Sequence, residues 1–224
     1  MTKVKGIAFD VYGTLLDPIS IQATAQEFIP NGLEFVTLWR AKQLEYTWLM
    51  SLMGKYENFW QITHRALSYC FSKFNLTLDD RQKQKLLDAW TQVSPFPDVA
   101  EGLELLRSNG LRLAALSNGD PVMLEKGLMH AGILDKLERV MSVDSVQIYK
   151  PSPKVYEMGI AWLSTAVSAD VGFVSSNAWD AIGAATFGFD VVWLNRTGNP
   201  LDEFGAPPAQ IVKTFREVAE HFVI

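Results

Sequence analysis

The chain of 224 residues holds one cysteine, Cys70, so no disulfide can form within it, and a reducing cytoplasm is the compartment this composition suits. Cys70 itself reads as a packing residue. Histidine is almost as scarce. His64, His130 and His221 are scattered, with neither metal-ligand spacing nor an evident nucleophile partner. Basic residues are outnumbered by acidic ones, leaving a formal charge of −5, and no lysine or arginine block is present to track a nucleic acid or an anionic bilayer. No apolar run reaches membrane-spanning length, and "MTKVKG" passes into an apolar stretch without the hydrophobic region of a leader. What remains is a soluble intracellular protein that binds any anion locally, with neither nucleic acid nor membrane as partner.

Apolar side chains are abundant, at 48% of the sequence, enough to fill one or two domains. Short apolar runs bounded by turn residues, "VKGIAFDV", "LRLAALS", "VGFVSS" and "VVWLN", suit strands buried on both faces of a parallel sheet. Helices separate them. Asp98 and Glu101 have capping-box spacing ahead of "GLELLRS" with Gly110 as a stop, Asp120 and Pro121 open the next helix, closed by Gly132, and Ser152 and Pro153 open a third. The alternation predicts a doubly wound α/β fold. Residues 18–94 break it with three helical patterns, no convincing strand, and Trp39, Trp48, Trp60 and Trp90 at helical spacing. The expected organisation is a sheet-based core of residues 1–17 and 95–224, with 18–94 inserted after the first strand as a helical cap with its own core. Such an insertion emerges beside the carboxyl ends of the strands, where ligands bind, and can act as a lid.

Polar residues gather at those strand ends. Asp10 heads the turn "DVYGTL", in which Gly13 permits a tight bend that lets amides share the space of the carboxylate. "LSNGD" supplies Ser117 and Asn118; Lys150 is biased towards an extended conformation by Pro151; "SSNAWD" supplies Ser175, Ser176, Asn177 and Asp180. Each piece has a plain reading. An Asx-turn explains Asp10, a Ser-Asn-Gly turn needs no ligand, a lysine before proline is commonly solvated, and Asp180 suits the start of a helix dipole. Their convergence on one rim does not.

Together with "WRAKQLEYTWL" and "YKPSPKVYE", these motifs give the chain a resemblance, along essentially its whole length, to the haloacid dehalogenase superfamily and within it to the L-2-haloacid dehalogenases. The resemblance implies a Rossmann-like core with a helical cap. Superfamily phosphatases carry a second acid two residues after the first and another in the final cluster, and these hold Mg²⁺. Tyr12 and Ser176 stand at those positions here. A hard cation wants several anionic oxygens, whereas a carboxylate displacing halide from carbon needs neither metal nor a proton for the leaving group. The implied activity is therefore hydrolysis of L-2-haloalkanoic acids to D-2-hydroxy acids without metal or cofactor, with a Mg²⁺-dependent phosphatase as the alternative.

The same resemblance assigns roles. Asp10 attacks C2 to give an ester; water then attacks the ester carbonyl, deprotonated by Asp180 with Asn177 assisting, while turn amides stabilise the oxyanion. Lys150 holds the carboxylates, Ser175 bonds Lys150 or Asp10, and Thr14, Tyr156 and Ser176 lend support. Ser117, Asn118 and turn amides receive the substrate carboxylate. Arg40, on the cap, cradles halide or carboxylate, the resemblance favouring halide; read alone, it is a face charge on a helix. Tyr12, Leu44, Phe59 and Trp179 wall the site, although at helical spacing an aromatic or leucine is equally a core residue. Ala41 replaces a polar residue of some relatives, which bears on substrate range. Relatives of this kind are commonly homodimers.

Overall fold

The computed structural model describes residues 4–223; the start of the N-terminal segment inspected for a leader lies outside them. Six parallel strands form one sheet: β1 (Gly6–Phe9), β2 (Arg112–Ser117), β3 (Arg139–Ser142), β4 (Val171–Ser175), β5 (Asp190–Leu194) and β6 (Gln210–Val212). The order is β3-β2-β1-β4-β5-β6. Every residue of β1 and β4 is buried, as apolar runs covered on both faces require. Four of these strands correspond to the apolar runs in the sequence. The other two, four and three residues long, sit at the sheet edges and are too short to establish a periodicity.

Between β1 and β2 lie α1 (Gln22–Ala25), α2 (Gly32–Leu52), α3 (Phe59–Lys73), α4 (Asp80–Ala89) and α5 (Val99–Ser108). The remaining helices are α6 (Pro121–His130), α7 (Pro153–Leu163), α8 (Ala178–Phe187) and α9 (Phe215–Phe222). Phe9 stacks on Phe215 from α9 at 5.7 Å on one face of the sheet, and Phe173 meets Tyr156 from α7 edge-on at 5.9 Å on the other. Asp120 caps α6 by accepting the amides of Val122 and Met123. Asp98 does not close the expected capping box. Its carboxylate accepts from Arg196 Nη2 and from the Phe215 amide, each at 3.0 Å, so tertiary partners displaced the local one.

Segment 18–94 contains helices and no named strand, and its two ends run side by side. Leu16 and Pro95 form an antiparallel bridge, and the Asp17 amide donates to Ser94 O at 2.8 Å. Inside, Trp39 packs edge-on against Trp90 at 5.5 Å, and Trp90 against Tyr12 at 5.8 Å. The buried apolar cluster therefore runs unbroken from the helices into the sheet instead of closing separately. Tyr12, in the turn after β1, is the link. Trp48 and Trp60 are only half-buried.

Candidate active site

The chain reverses direction across the sheet at β1 and β4, the switch point where the crevice of an open α/β sheet lies. Asp10 follows β1, and Ser176 and Asn177 follow the neighbouring β4, which Ser175 ends, so the two loops meet by construction. Gly13 makes the meeting possible: its φ is +95°, and a Cβ there would stand 3.4 Å from Asn177 Nδ2.

Asp10 is buried, and both its oxygens are engaged. Oδ1 accepts from Lys150 Nζ at 3.1 Å; Oδ2 accepts from Thr14 Oγ1 at 3.0 Å and from Asn177 Nδ2 at 2.8 Å. Lys150 Nζ also donates to Asp180 Oδ2 at 2.8 Å, and Tyr156 OH to Asp180 Oδ1 at 2.8 Å. Lys150 and Asp180 are shut off from solvent. Burial acts to lower the Lys150 pKa, but the two carboxylates outweigh it and leave it above the ordinary value. Burial drives Asp180 up to about 6, against the opposing pull of Lys150. Burial, reinforced by Asp180, also holds the Tyr156 hydroxyl well above its usual range, so it stays a donor. Gly183 makes room for that hydroxyl, since a Cβ there would fall 2.6 Å from it.

One expected contact differs. Ser175 reaches neither Lys150 nor Asp10; its Oγ accepts the Asn177 amide at 3.2 Å and so shapes the loop that carries Asn177. Within the turn, the amides of Gly13, Thr14, Leu15 and Leu16 are spent on Leu16 O and Val11 O, and those of Val11 and Tyr12, next to Asp10, take no part in these bonds. The side-chain donors on the Asp10 carboxylate are Lys150, Thr14 and Asn177.

Ser117 and Asn118 are buried at the end of β2. Asn118 Oδ1 accepts the Lys150 amide at 3.0 Å, while Asn118 Nδ2 is a buried donor without a partner. Ser117 Oγ accepts the Gly119 amide at 3.1 Å. Ser176 donates its amide to Thr14 Oγ1 at 2.8 Å, and its own Oγ accepts from Arg196 Nη1 at 3.1 Å. The groups gathered round Asp10 are thus an ammonium, a carboxamide NH and a hydroxyl, with a guanidinium on Ser176. That set favours an anion over a hard cation.

From the helical segment, Arg40 reaches over the turn and donates from Nη2 to Tyr12 O at 3.3 Å, the same carbonyl that accepts Asn177 Nδ2 at 3.2 Å. Burial lowers the Arg40 pKa, partly offset by Asp10. Leu44 and Trp48 follow at successive helical turns, both half-buried, and Trp48 meets Trp179 edge-on at 5.4 Å. Tyr12 stacks on Phe59 at 6.1 Å. Burial raises the Tyr12 phenol well above its ordinary pKa, so it stays neutral. The hairpin between α2 and α3 is strapped to the core next to Lys150: Tyr149 OH donates to Glu57 O at 2.6 Å, the Tyr149 amide to Ser51 Oγ at 3.2 Å, and Tyr56 OH to Asp144 Oδ1 at 2.9 Å. Sequence reasoning missed this strap and Arg196. Arg196 follows the end of β5, the same strand-end signal that marked the other loops.

Burial pushes the Cys70 thiol up to about 12, as for an inert packing residue. His221 contacts Asp190 at 3.0 Å. No helix among the described residues is long and apolar enough to cross a membrane.

The profile of the haloacid dehalogenase-like hydrolases matches residues 4–188. An (S)-2-haloacid dehalogenase of Pseudomonas sp. (strain YL) is 47% identical over 223 residues, covering 99% of this chain and 96% of that one. Among solved structures, a dehalogenase aligns with a TM-score of 0.95 at 37% identity, over 100% of this chain and 99% of the other. An L-2-haloacid dehalogenase from Xanthobacter autotrophicus with chloropropionic acid covalently bound aligns with a TM-score of 0.89 at 33% identity, over 97% of each.

Proposed function

The chain belongs to the haloacid dehalogenase-like hydrolase family, and from that premise we propose that it is an (S)-2-haloacid dehalogenase, using Asp10 as nucleophile. The observation that carries the reading is the division of labour on the Asp10 carboxylate. Oδ2 accepts two hydrogen bonds and Oδ1 one, from Lys150. Oδ1 therefore keeps the more available lone pair. It attacks C2 of an L-2-haloalkanoate in line with the carbon–halogen bond, the halide leaves with the bonding pair, and C2 inverts. Asn118 Nδ2, an unused buried donor, and Ser117 bind the substrate carboxylate. Arg40 takes the halide, drawing on the poor hydration of a guanidinium. Tyr12, Phe59, Leu44 and Trp179 keep water away from the nucleophile.

In the ester, Oδ2 is the carbonyl oxygen. Water adds to Cγ, Asp180 accepts its proton, and Thr14 Oγ1 and Asn177 Nδ2 meet the charge that develops on Oδ2. Collapse breaks the bond between Cγ and Oδ1, Asp180 passes its proton to the departing alkoxide, and the second proton of the water goes to solvent as the Asp10 carboxylate re-forms, so the product D-2-hydroxy acid departs with an oxygen from Asp10 and the carboxylate keeps one from water. Lys150, bonded to both, fixes Asp10 and Asp180 relative to one another; Ser175, Ser176 and Tyr156 hold the groups that touch the reaction. The step needs no metal or cofactor.

Helices α2 to α4 serve as a cap on the core, supplying Arg40. Their outer face exposes Leu49, Leu52, Met53 and Tyr69, and a second copy of the chain covers it, giving a homodimer. The cytoplasm is the working compartment, where a lone thiol stays reduced.

Single-turnover reaction with excess enzyme and L-2-chloropropionate in water enriched in ¹⁸O tests the nucleophile. The label is expected in Asp10 and not in the first D-lactate released. Label passing directly into the hydroxy acid would make water the nucleophile. Light scattering of the purified chain tests the dimer.

A further inference from the structure

Arg196 lies just beyond β5 and belongs to none of the motifs that identify the site. Its half-buried guanidinium makes a fork of contacts: Nη1 donates to Thr14 O and to Ser176 Oγ, both at 3.1 Å, and Nη2 to Asp98 Oδ1 at 3.0 Å. The Phe96 ring lies 4.1 Å beneath it. Asp98 is itself fixed by the Phe215 amide, so the guanidinium is held in one plane. A point charge on a flexible stem cannot reproduce this fork.

The two segments joined by Nη1 are the two that supply donors to Asp10 Oδ2. Thr14 reaches Oδ2 through its hydroxyl, which also accepts the Ser176 amide; Asn177 reaches it through Nδ2. We propose that Arg196 is a positioning residue for ester hydrolysis: it locks the Asp10 turn and the loop of residues 175–177 in register so that Oδ2 keeps both hydrogen bonds. The proposal rests on Asp10 acting through Oδ1, and it separates the two halves of the reaction. During displacement of halide, negative charge leaves the carboxylate, so donors to Oδ2 gain nothing in that transition state. During hydrolysis, Oδ2 takes on a full charge, and the same donors become stabilising.

Arg196→Lys and Ser176→Ala, each assayed with L-2-chloropropionate, test this. The first removes the fork; the second removes one acceptor and leaves the contacts to Asp98, Thr14 and Phe96. Arg196→Lys is expected to lower kcat about 10- to 100-fold, and Ser176→Ala by less, with kcat/KM held within about threefold because that ratio reports ester formation. Enzyme quenched during turnover should carry the ester mass on the peptide containing Asp10. A parallel fall in kcat and kcat/KM, or an unchanged kcat in both variants, overturns the proposal. Should Arg196→Lys fail to fold, Ser176→Ala decides alone by the same split. A wild-type enzyme that releases chloride with no ester at any time would instead overturn the reading of Asp10, a different result from either.

Discussion

The floor of the site and its roof are built to different standards. On the floor, Asp10, Lys150, Asp180 and Tyr156 are buried, and their charged and hydroxyl groups are matched to one another at 2.8 to 3.1 Å. On the roof, Arg40, Leu44, Trp48 and Trp179 are half-buried, Arg40 makes one hydrogen bond of 3.3 Å, and Trp48 Nε1 is buried without a partner. A buried ion pair cannot tolerate a missing member, because the charge left behind has lost both water and partner. A surface that recognises a small apolar chain and a halide needs shape and a donor, and both survive small displacements. In the proposed reading the reacting groups and the carboxylate pocket of Ser117 and Asn118 belong to the sheet-based core, and the helical segment adds Arg40 and apolar walls.

Breaking the floor should have the largest effects. Asp10→Asn is expected to abolish chloride release from L-2-chloropropionate by on the order of 10⁴-fold or more while its circular dichroism stays native. Lys150→Met should lose activity comparably and also about 3–5 kcal/mol of stability in urea unfolding, since it strands two buried carboxylates. A variant that melts like wild type would mean the triad is not the fixed structure inferred from its burial. On the roof, Arg40→Ala should cost about 10²-fold in kcat/KM yet less than ~1 kcal/mol of stability, because a half-buried side chain with one long hydrogen bond contributes little to folding. If it destabilised as much as the lysine variant, the contrast between floor and roof would fail.

A milder perturbation is pH. Burial raises Asp180 to about 6 with the Asp10 charge adding to the rise, and esterification of Asp10 removes that addition. If Asp180 is the base, the rate of ester hydrolysis, read in single turnover, should therefore fall tenfold per unit on the acid side of a limb at or below about pH 6 and level off above it. A rate that rises as the pH falls through that range would remove Asp180 from that role. The smallest effect is expected at the strap between the two regions. Tyr56→Phe deletes one hydrogen bond to Asp144, worth about 1 kcal/mol, and should change kcat by a few-fold at most.

Asp10, Asn118 and Asn177 were legible in the sequence because they stand just past strands that, buried on both faces, announce themselves as apolar runs. Lys150, eight residues beyond β3, was marked instead by the proline that follows it and by the motif around it. Their pairings were less accessible. Ser175 was expected on Lys150 or Asp10, but whether a hydroxyl turns to a side chain or to an amide two residues ahead depends on loop dihedrals that residue types do not specify. Asp98 illustrates the same limit: its spacing satisfies a local rule, and a guanidinium nearly a hundred positions away took the carboxylate instead. The edge strands β3 and β6 escaped because three or four residues carry no period. Tyr149 and Tyr56 escaped because a tyrosine strapping two regions looks, in sequence, like any core aromatic.

The bridge between Leu16 and Pro95 reaches beyond this one enzyme. The outgoing and returning segments meet there, so the helices enter and leave the sheet at one seam and hold to it elsewhere through Trp90 on Tyr12 and Tyr149 on Glu57. A differently folded stretch spliced at that seam keeps Asp10 and Lys150 where they are only if it replaces those two contacts. Selection, or an engineer, that supplies them can exchange the helices and leave the sheet as it is.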